Sequence, residues 1–182
     1  MLSGELTQEI HKTPPEPKWV FESPAYHLDL DGDGRDEVLK IIKRDGVDWL
    51  DLRGHDRREV FSGKLWAMGS GSRIYRLRLV DLSAGLRVLL IYLYEGQTEA
   101  RRFEATARLY FLTLPDRQLK NLELTAGPRF WHEFAAQREQ YGRRAYSVNV
   151  KDYDGDGVKD IGVEYHHIQS IWRYQNGRWT SI

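Results

Sequence analysis

The segment Asp29-Leu30-Asp31-Gly32-Asp33-Gly34-Arg35-Asp36-Glu37 is rich in acids and glycines, and its pattern returns near the other end of the sequence as Asp152-Tyr153-Asp154-Gly155-Asp156-Gly157-Val158-Lys159-Asp160. We call these segments the first and the second acidic loop. Acids at alternate positions of a tight turn point toward one centre, where their like charges repel one another unless a cation lies among them. The two glycines of each loop let the backbone turn sharply at little steric cost.

The ligand types of the loops predict the ion. Hard oxygen ligands, without histidine or cysteine, favour Ca²⁺ over zinc or copper. Arginine and valine would each contribute a backbone carbonyl oxygen, and the last acid of each loop would close the cage. The predicted ligands are Asp29, Asp31, Asp33, Arg35 and Glu37 for one ion, and Asp152, Asp154, Asp156, Val158 and Asp160 for a second ion.

Neither loop has the sequence of an EF-hand. An EF-hand requires a bidentate glutamate at the twelfth loop position and a helix on each side. That position is held by Lys40 in the first loop and by Val163 in the second. Apolar, β-branched runs follow both loops, which indicates strands. Each ion is therefore predicted to lie at a bend between two strands.

A strand, the pattern D-x-D-G-D-G-x-x-[DE] and a second apolar strand together resemble the FG-GAP/VCBS repeat of integrin α-chain-type β-propellers. The matching segments are DLDGDGRDEVL and DYDGDGVKDIGV. The resemblance implies a blade-like fold module, a structural calcium ion and a role in interaction or scaffolding.

Composition excludes several other classes of protein. A chain of 182 residues with 41% apolar and 30% charged residues is long and apolar enough for one globular domain with its own core. Because lysine plus arginine equals aspartate plus glutamate, the chain has no net positive charge to attract nucleic acid. It has no cysteine, which excludes disulfides and zinc–thiolate sites. No apolar run has the length of a membrane span.

The setting is expected to be extracellular or periplasmic. Millimolar Ca²⁺ outside the cytoplasm suits loops of this type. Residues 1–12 contain no apolar run typical of a signal peptide, so the export signal is not visible in this chain.

The strand pattern predicts an all-β fold of three four-stranded antiparallel units, at about 19–62, 73–125 and 144–182, after a Pro-rich tail at 1–18. The middle unit has Asp81 in the place of Asp29 but lacks the other acids, which is typical of a degenerate repeat. Aromatic residues at helical spacing predict one helix at 129–141. Three blades are too few for a closed propeller, which has about four to eight. The units would form an open arc or sandwich, or close a ring as a homo- or hetero-oligomer.

These expectations favour a module without enzymatic activity that binds a protein or a glycan. Trp66 and Trp131 are the aromatic residues expected to be exposed for such contacts. A structural subunit of a larger cell-envelope assembly is an alternative. A hydrolase or accessory domain, using an acidic loop or the region of His166, is a weaker one. His132-Glu133 lacks the second histidine of a zinc-protease motif.

Overall fold

The computed structural model describes residues 11–13, 24–66, 72–97, 104–136 and 140–182. Within these ranges the chain consists of β-strands joined by turns, with one short 3₁₀ turn at Leu119–Asn121 and no α-helix. The strands are β1 His11–Thr13, β2 Ala25–Leu28, β3 Glu37–Arg44, β4 Val47–Arg53, β5 Glu59–Lys64, β6 Arg73–Ser83, β7 Leu86–Gln97, β8 Glu104–Pro115, β9 Glu123–Ala136, β10 Gln140–Ala145, β11 Ser147–Lys151, β12 Asp160–Tyr165, β13 Ile168–Gln175 and β14 Arg178–Ser181.

The strands form three antiparallel sheets in chain order. The first sheet has the order β1-β2-β3-β4-β5, the middle sheet β10-β9-β8-β7-β6, and the third sheet β11-β12-β13-β14. Two hairpins close with Asp45-Gly46 and Asn176-Gly177, in which all four residues have positive φ between 51° and 77°. This is the backbone that a two-residue turn with the twist of a β-hairpin requires.

The middle sheet is buried on both faces. Leu89 and Ile91 pack in one apolar cluster with the first sheet, whereas Val88 and Leu90 pack in a second cluster with the third sheet. All four are 0% exposed. Since successive side chains of a strand point to opposite faces, a strand covered on both sides must be apolar at every position. This explains the unbroken apolar run of β7.

The prediction of an all-β fold with three antiparallel units is confirmed, but the first and middle sheets have five strands rather than four. The fifth strand of the first sheet is β1, whose residues pair with 25–27 of β2. It lies inside the predicted tail; the rest of that tail, 1–10 and 14–18, lies outside the described residues. Within the described ranges, no helix is long and apolar enough to cross a membrane.

The prediction of a helix at 129–141 is wrong. Residues 129–136 continue β9, and 140–145 form β10, so the middle unit extends from 73 to 145; residues 137–139 lie outside the described part. Pairing with the long strand β8 outweighs the weak helical spacing of the aromatic residues. Phe134 lies opposite Gly142, and its ring occupies the space that a side chain there would need. The spacing of Phe130 and Phe134 fits a strand equally well, because residues four apart also share a strand face.

Candidate metal centres

The first acidic loop connects β2 to β3 and winds around the carboxylate of Asp29. Asp29 Oδ1 accepts a hydrogen bond from the Gly32 amide at 2.7 Å, and Oδ2 accepts one from the Gly34 amide at 3.0 Å. Both glycines have φ near 85°. Side chains strain this backbone, which explains why glycine stands at these two positions.

The next two acids fix the loop in the same way. Asp31 Oδ1 accepts from the Asp33 amide at 3.1 Å, and Asp33 Oδ1 accepts from the Arg35 amide at 2.8 Å. Each of these carboxylates accepts a hydrogen bond from the backbone amide two residues further along the loop. The Arg35 side chain turns away from the loop, and its Nη1 lies 3.2 Å from His55 Nε2.

Glu37 closes the first loop from inside the protein. It is 1% exposed, and its Oε2 accepts a hydrogen bond from the Leu30 amide at 2.8 Å. Burial raises the pKa of Glu37 to about 7; the Leu30 amide opposes this shift, and the nearby negative charges, of which Asp31 contributes most, add to it. A buried carboxylate surrounded by like charges is an environment that a cation would stabilise.

The second acidic loop connects β11 to β12 and repeats this hydrogen-bond scheme position by position. The pairs are Gly155 N to Asp152 Oδ1 at 2.6 Å, Gly157 N to Asp152 Oδ2 at 2.9 Å, Asp156 N to Asp154 Oδ1 at 3.3 Å, Val158 N to Asp156 Oδ1 at 2.8 Å, and Tyr153 N to Asp160 Oδ2 at 3.2 Å. The amides of Gly157 and Gly155 lower the pKa of Asp152, and burial raises that of Asp160.

Both loops bring three carboxylates together, although not the same three. Oxygens of Asp29, Asp31 and Glu37 all lie within 4.8 Å of one another, and so do oxygens of Asp152, Asp154 and Asp156. Asp33 in the first loop and Asp160 in the second lie outside these groups. Each group can offer an ion three carboxylate oxygens, which fits the chemistry of Ca²⁺.

Arg173 contacts two acids of the second loop directly. Its Nη1 lies 3.2 Å from Asp154 Oδ2, and its Nε lies 3.4 Å from Asp160 Oδ2. The side chain is 19% exposed. A guanidinium therefore already neutralises part of the second cluster. Among the described residues, no lysine or arginine head group lies within 4 Å of a carboxylate oxygen of Asp31 or Glu37.

The hairpin between β6 and β7, which we call the middle hairpin, takes the place of an acidic loop in the middle sheet. Asp81 pairs with Arg87 across the hairpin, and its Oδ1 lies 2.7 Å from Arg87 Nε. Arg117 Nη2 lies 3.2 Å from Asp81 Oδ2. The one acid kept from the loop pattern is thus neutralised by two arginine side chains, and Arg87 is only 4% exposed.

Backbone contacts place both acidic loops beside the middle hairpin. Arg87 Nη1 donates to the Leu30 carbonyl at 3.1 Å, and the Lys159 amide donates to the Leu82 carbonyl at 3.0 Å. A side chain added at Gly32 would meet Arg87 Nη1 at 3.2 Å. The three bends therefore share one end of the molecule, with the arginine-filled hairpin between the two acidic loops.

The arginines at this end of the molecule were not among the predicted site residues, although the position of Arg173 follows from a local turn. His166 and His167 form the turn between β12 and β13, and His166 has a φ of 51°. A two-residue turn there pairs Tyr165 with Ile168 and Ile161 with Trp172, so that Asp160 and Arg173 are the next residues along the two strands. Both histidines are exposed. Arg87 and Arg117 reach the first loop from another sheet, which no local pattern indicates.

Comparison of the chain with protein-family models, curated proteins and solved structures finds no match. The resemblance to the FG-GAP/VCBS repeat therefore rests on the loop residues and on the order of strands around them.

Proposed function

We propose that the chain is a calcium-stabilised β-repeat module of the FG-GAP/VCBS type that binds a protein or a glycan in an extracellular or periplasmic setting. The observation that supports this most is the hydrogen-bond scheme common to the two acidic loops. In both loops, which lie near opposite ends of the chain, amides at equivalent positions donate to carboxylates at equivalent positions. Two loops constrained in one manner are best explained by one ligand, and three converging carboxylates select a hard cation.

The proposed role of the ions is structural. Each loop joins neighbouring strands, so an ion held there ties the two strands together at their bend. Ion binding requires the folded loop, and its free energy therefore adds to the free energy of unfolding. Glu37 gives the strongest support for a structural role of the ion. Its carboxylate is buried beside other acids and lacks an ion pair with any described residue.

The proposed binding role follows from the layering. The first and third sheets each pack one face on the middle sheet. We propose that the faces turned away from the middle sheet are where a partner binds, including a second copy of the chain. In this reading the protein is not an enzyme, because the acids of both loops are committed to backbone amides and to the ion.

Thermal unfolding in excess calcium and in EDTA tests the metal part of this proposal. The melting temperature is expected to rise in 10 mM CaCl₂ and to fall when EDTA removes the ion, with MgCl₂ as the control for ionic strength and for a smaller cation. The double variant Asp31→Asn/Asp156→Asn keeps an amide oxygen in each place and should lose the calcium response. A melting curve that is the same in CaCl₂ and in EDTA would contradict the proposal.

A further inference from the structure

A cleft of about 530 Å³ opens at the end of the middle sheet opposite the acidic loops. We call it the aromatic cleft. It lies where β6 begins and β7 ends, about 30 Å along the strands from the middle hairpin at a rise of about 3.3 Å per residue. Its lining includes Arg73, Arg76, Tyr92, Tyr94, Phe130 and Trp131.

Unequal strand lengths create the cleft. Four strands of the middle sheet run for 11 to 14 residues, whereas those of the third sheet run for 4 to 8. The shorter sheet covers only part of the longer one. Tyr146, just before β11, fixes the boundary, because its amide donates to the Phe130 carbonyl at 2.8 Å. Tyr92 and Phe130 lie at the edge of the core, 5% and 8% exposed, and the half-buried Tyr94 and Trp131 extend the cleft wall beyond them.

Arginine side chains cover several of these rings. The guanidinium of Arg73 lies 4.9 Å from the centre of the Tyr94 ring, and that of Arg76 lies 5.5 Å from the centre of the Tyr92 ring. Each arginine is the cross-strand partner of its tyrosine. A bulge between Ile74 and Arg76 allows both arginines to reach the same face, since residues three apart would otherwise alternate.

The two arginines carry charge that the described residues do not neutralise. Both are exposed, and within the described ranges neither guanidinium lies within 4 Å of a carboxylate oxygen. Glu133 is the one carboxylate of the lining, and it has an interaction of its own. Stacking on an aromatic face leaves the N–H edges of a guanidinium open, and these edges bind carboxylates in bidentate geometry.

We propose that the aromatic cleft binds a peptide segment that carries acidic side chains next to apolar ones. The guanidinium edges of Arg73 and Arg76 bind the carboxylates, and an apolar side chain fills the space beside Phe130 and Trp131. A glycan fits this lining less well. Sugar rings stack on open aromatic faces, and arginines already lie over Tyr92, Tyr94 and Trp131, the last under Arg143 at 4.1 Å. The inference rests on the proposed binding role, but not on the calcium ions.

Fluorescence anisotropy with a short labelled peptide of alternating leucine and glutamate tests the proposal. Saturable binding is expected, and it should weaken in high salt. The variant Arg73→Gln/Arg76→Gln should bind the peptide at least about tenfold more weakly, since it loses two charge-assisted contacts. Arg178→Gln is the matched control. Arg178 is exposed and lies on the third sheet outside the cleft lining, so this variant should bind like the parent.

Four results would overturn the proposal: no binding, equal binding of a peptide with glutamine in place of glutamate, undiminished binding by the double variant, or equally tight binding of oligogalacturonate. The melting temperature of each variant shows whether it is folded. The assay is run in CaCl₂ and in EDTA, with melting curves on the same samples. A calcium-induced rise in melting temperature without peptide binding rejects the cleft alone, and the reverse pattern rejects the calcium ions alone.

Discussion

The two acidic loops are alike inside and differ in what surrounds them. Both carry the same five hydrogen bonds from backbone amides to carboxylates. The first loop closes on a buried glutamate, Glu37, whereas the acids of the second loop contact the guanidinium of Arg173. Local sequence therefore sets the shape of each loop, and residues from other strands set its charge. We expect the first loop to depend on its ion more strongly than the second.

The middle hairpin adds a third bend to this comparison. Here the positive charge beside the acid comes from arginine side chains of the protein itself. Arg87 occupies the place that an ion would take beside Asp81, and it also donates to the first loop. Under the proposed calcium binding, the three bends form a series from a loop that would rely on a bound ion, through a loop that shares its acids with an arginine, to a hairpin neutralised by arginines alone.

The largest expected effect on stability is that of replacing Arg87, the buried arginine of the middle hairpin. Arg87→Met should lower the free energy of unfolding by about 3 kcal/mol, because it takes the arginine donor from the buried Leu30 carbonyl and leaves Asp81 with only Arg117 of its two arginine partners. For a domain of this size that is a fall of about 6–12 °C in melting temperature, both in CaCl₂ and in EDTA. Arg178→Met, at an exposed arginine, should change stability by no more than about 0.5 kcal/mol. Equal melting of the two variants would show that Arg87 is not needed to neutralise Asp81.

Asp31→Asn tests the first loop, because the variant should melt below the parent in CaCl₂ but not in EDTA. With a Kd near 10⁻⁴ M, about 10 mM CaCl₂ stabilises the parent by about 2.7 kcal/mol, or about 5–11 °C, and the variant should lose most of this. In EDTA the variant should melt at the same temperature as the parent or slightly above it. The reason is that one like charge is removed, which is worth up to about 1 kcal/mol at this separation. A variant that melts below the parent by the same amount in both buffers would assign Asp31 a role without calcium.

Asp156→Asn should have a smaller effect on the second loop. Arg173 competes with the ion there, so a Kd near 10⁻³ M and a calcium stabilisation of about 1.4 kcal/mol in 10 mM CaCl₂ are expected. The variant should lose this amount, about 3–6 °C, while Asp154 keeps its contact with Arg173. If this variant loses more of the calcium response than Asp31→Asn does, the proposed order of the loops is wrong.

Arg173→Met should have the smallest effect on melting temperature, and it should increase the calcium response where the loop variants decrease it. Removing the guanidinium leaves Asp154 and Asp160 to the ion alone. The difference in melting temperature between CaCl₂ and EDTA should therefore increase by about 2–4 °C, because a partly exposed ion pair is worth up to about 1 kcal/mol. Arg173→Lys keeps the charge and should retain most of the competition. A calcium response unchanged by Arg173→Met would remove the physical basis for ranking the two loops.

The sequence predicts those parts of the molecule whose signals are local. The two acidic loops and the strands that follow them, β3 and β12, each follow from a few neighbouring residues. The helix predicted at 129–141 is wrong because strand pairing over the length of β8 is a property of residues distant in the chain. The contacts of Arg87 and the aromatic cleft could not be predicted for the same reason, since both arise where separate sheets meet.

Calcium titration of EDTA-treated protein, by calorimetry and by native mass spectrometry, is the decisive test for the two proposed ion sites. We expect two ions per chain, one bound about tenfold more tightly than the other, and loss of the tighter one in Asp31→Asn. Absence of bound calcium at millimolar concentration, or two ions that both remain in Asp31→Asn, would contradict it.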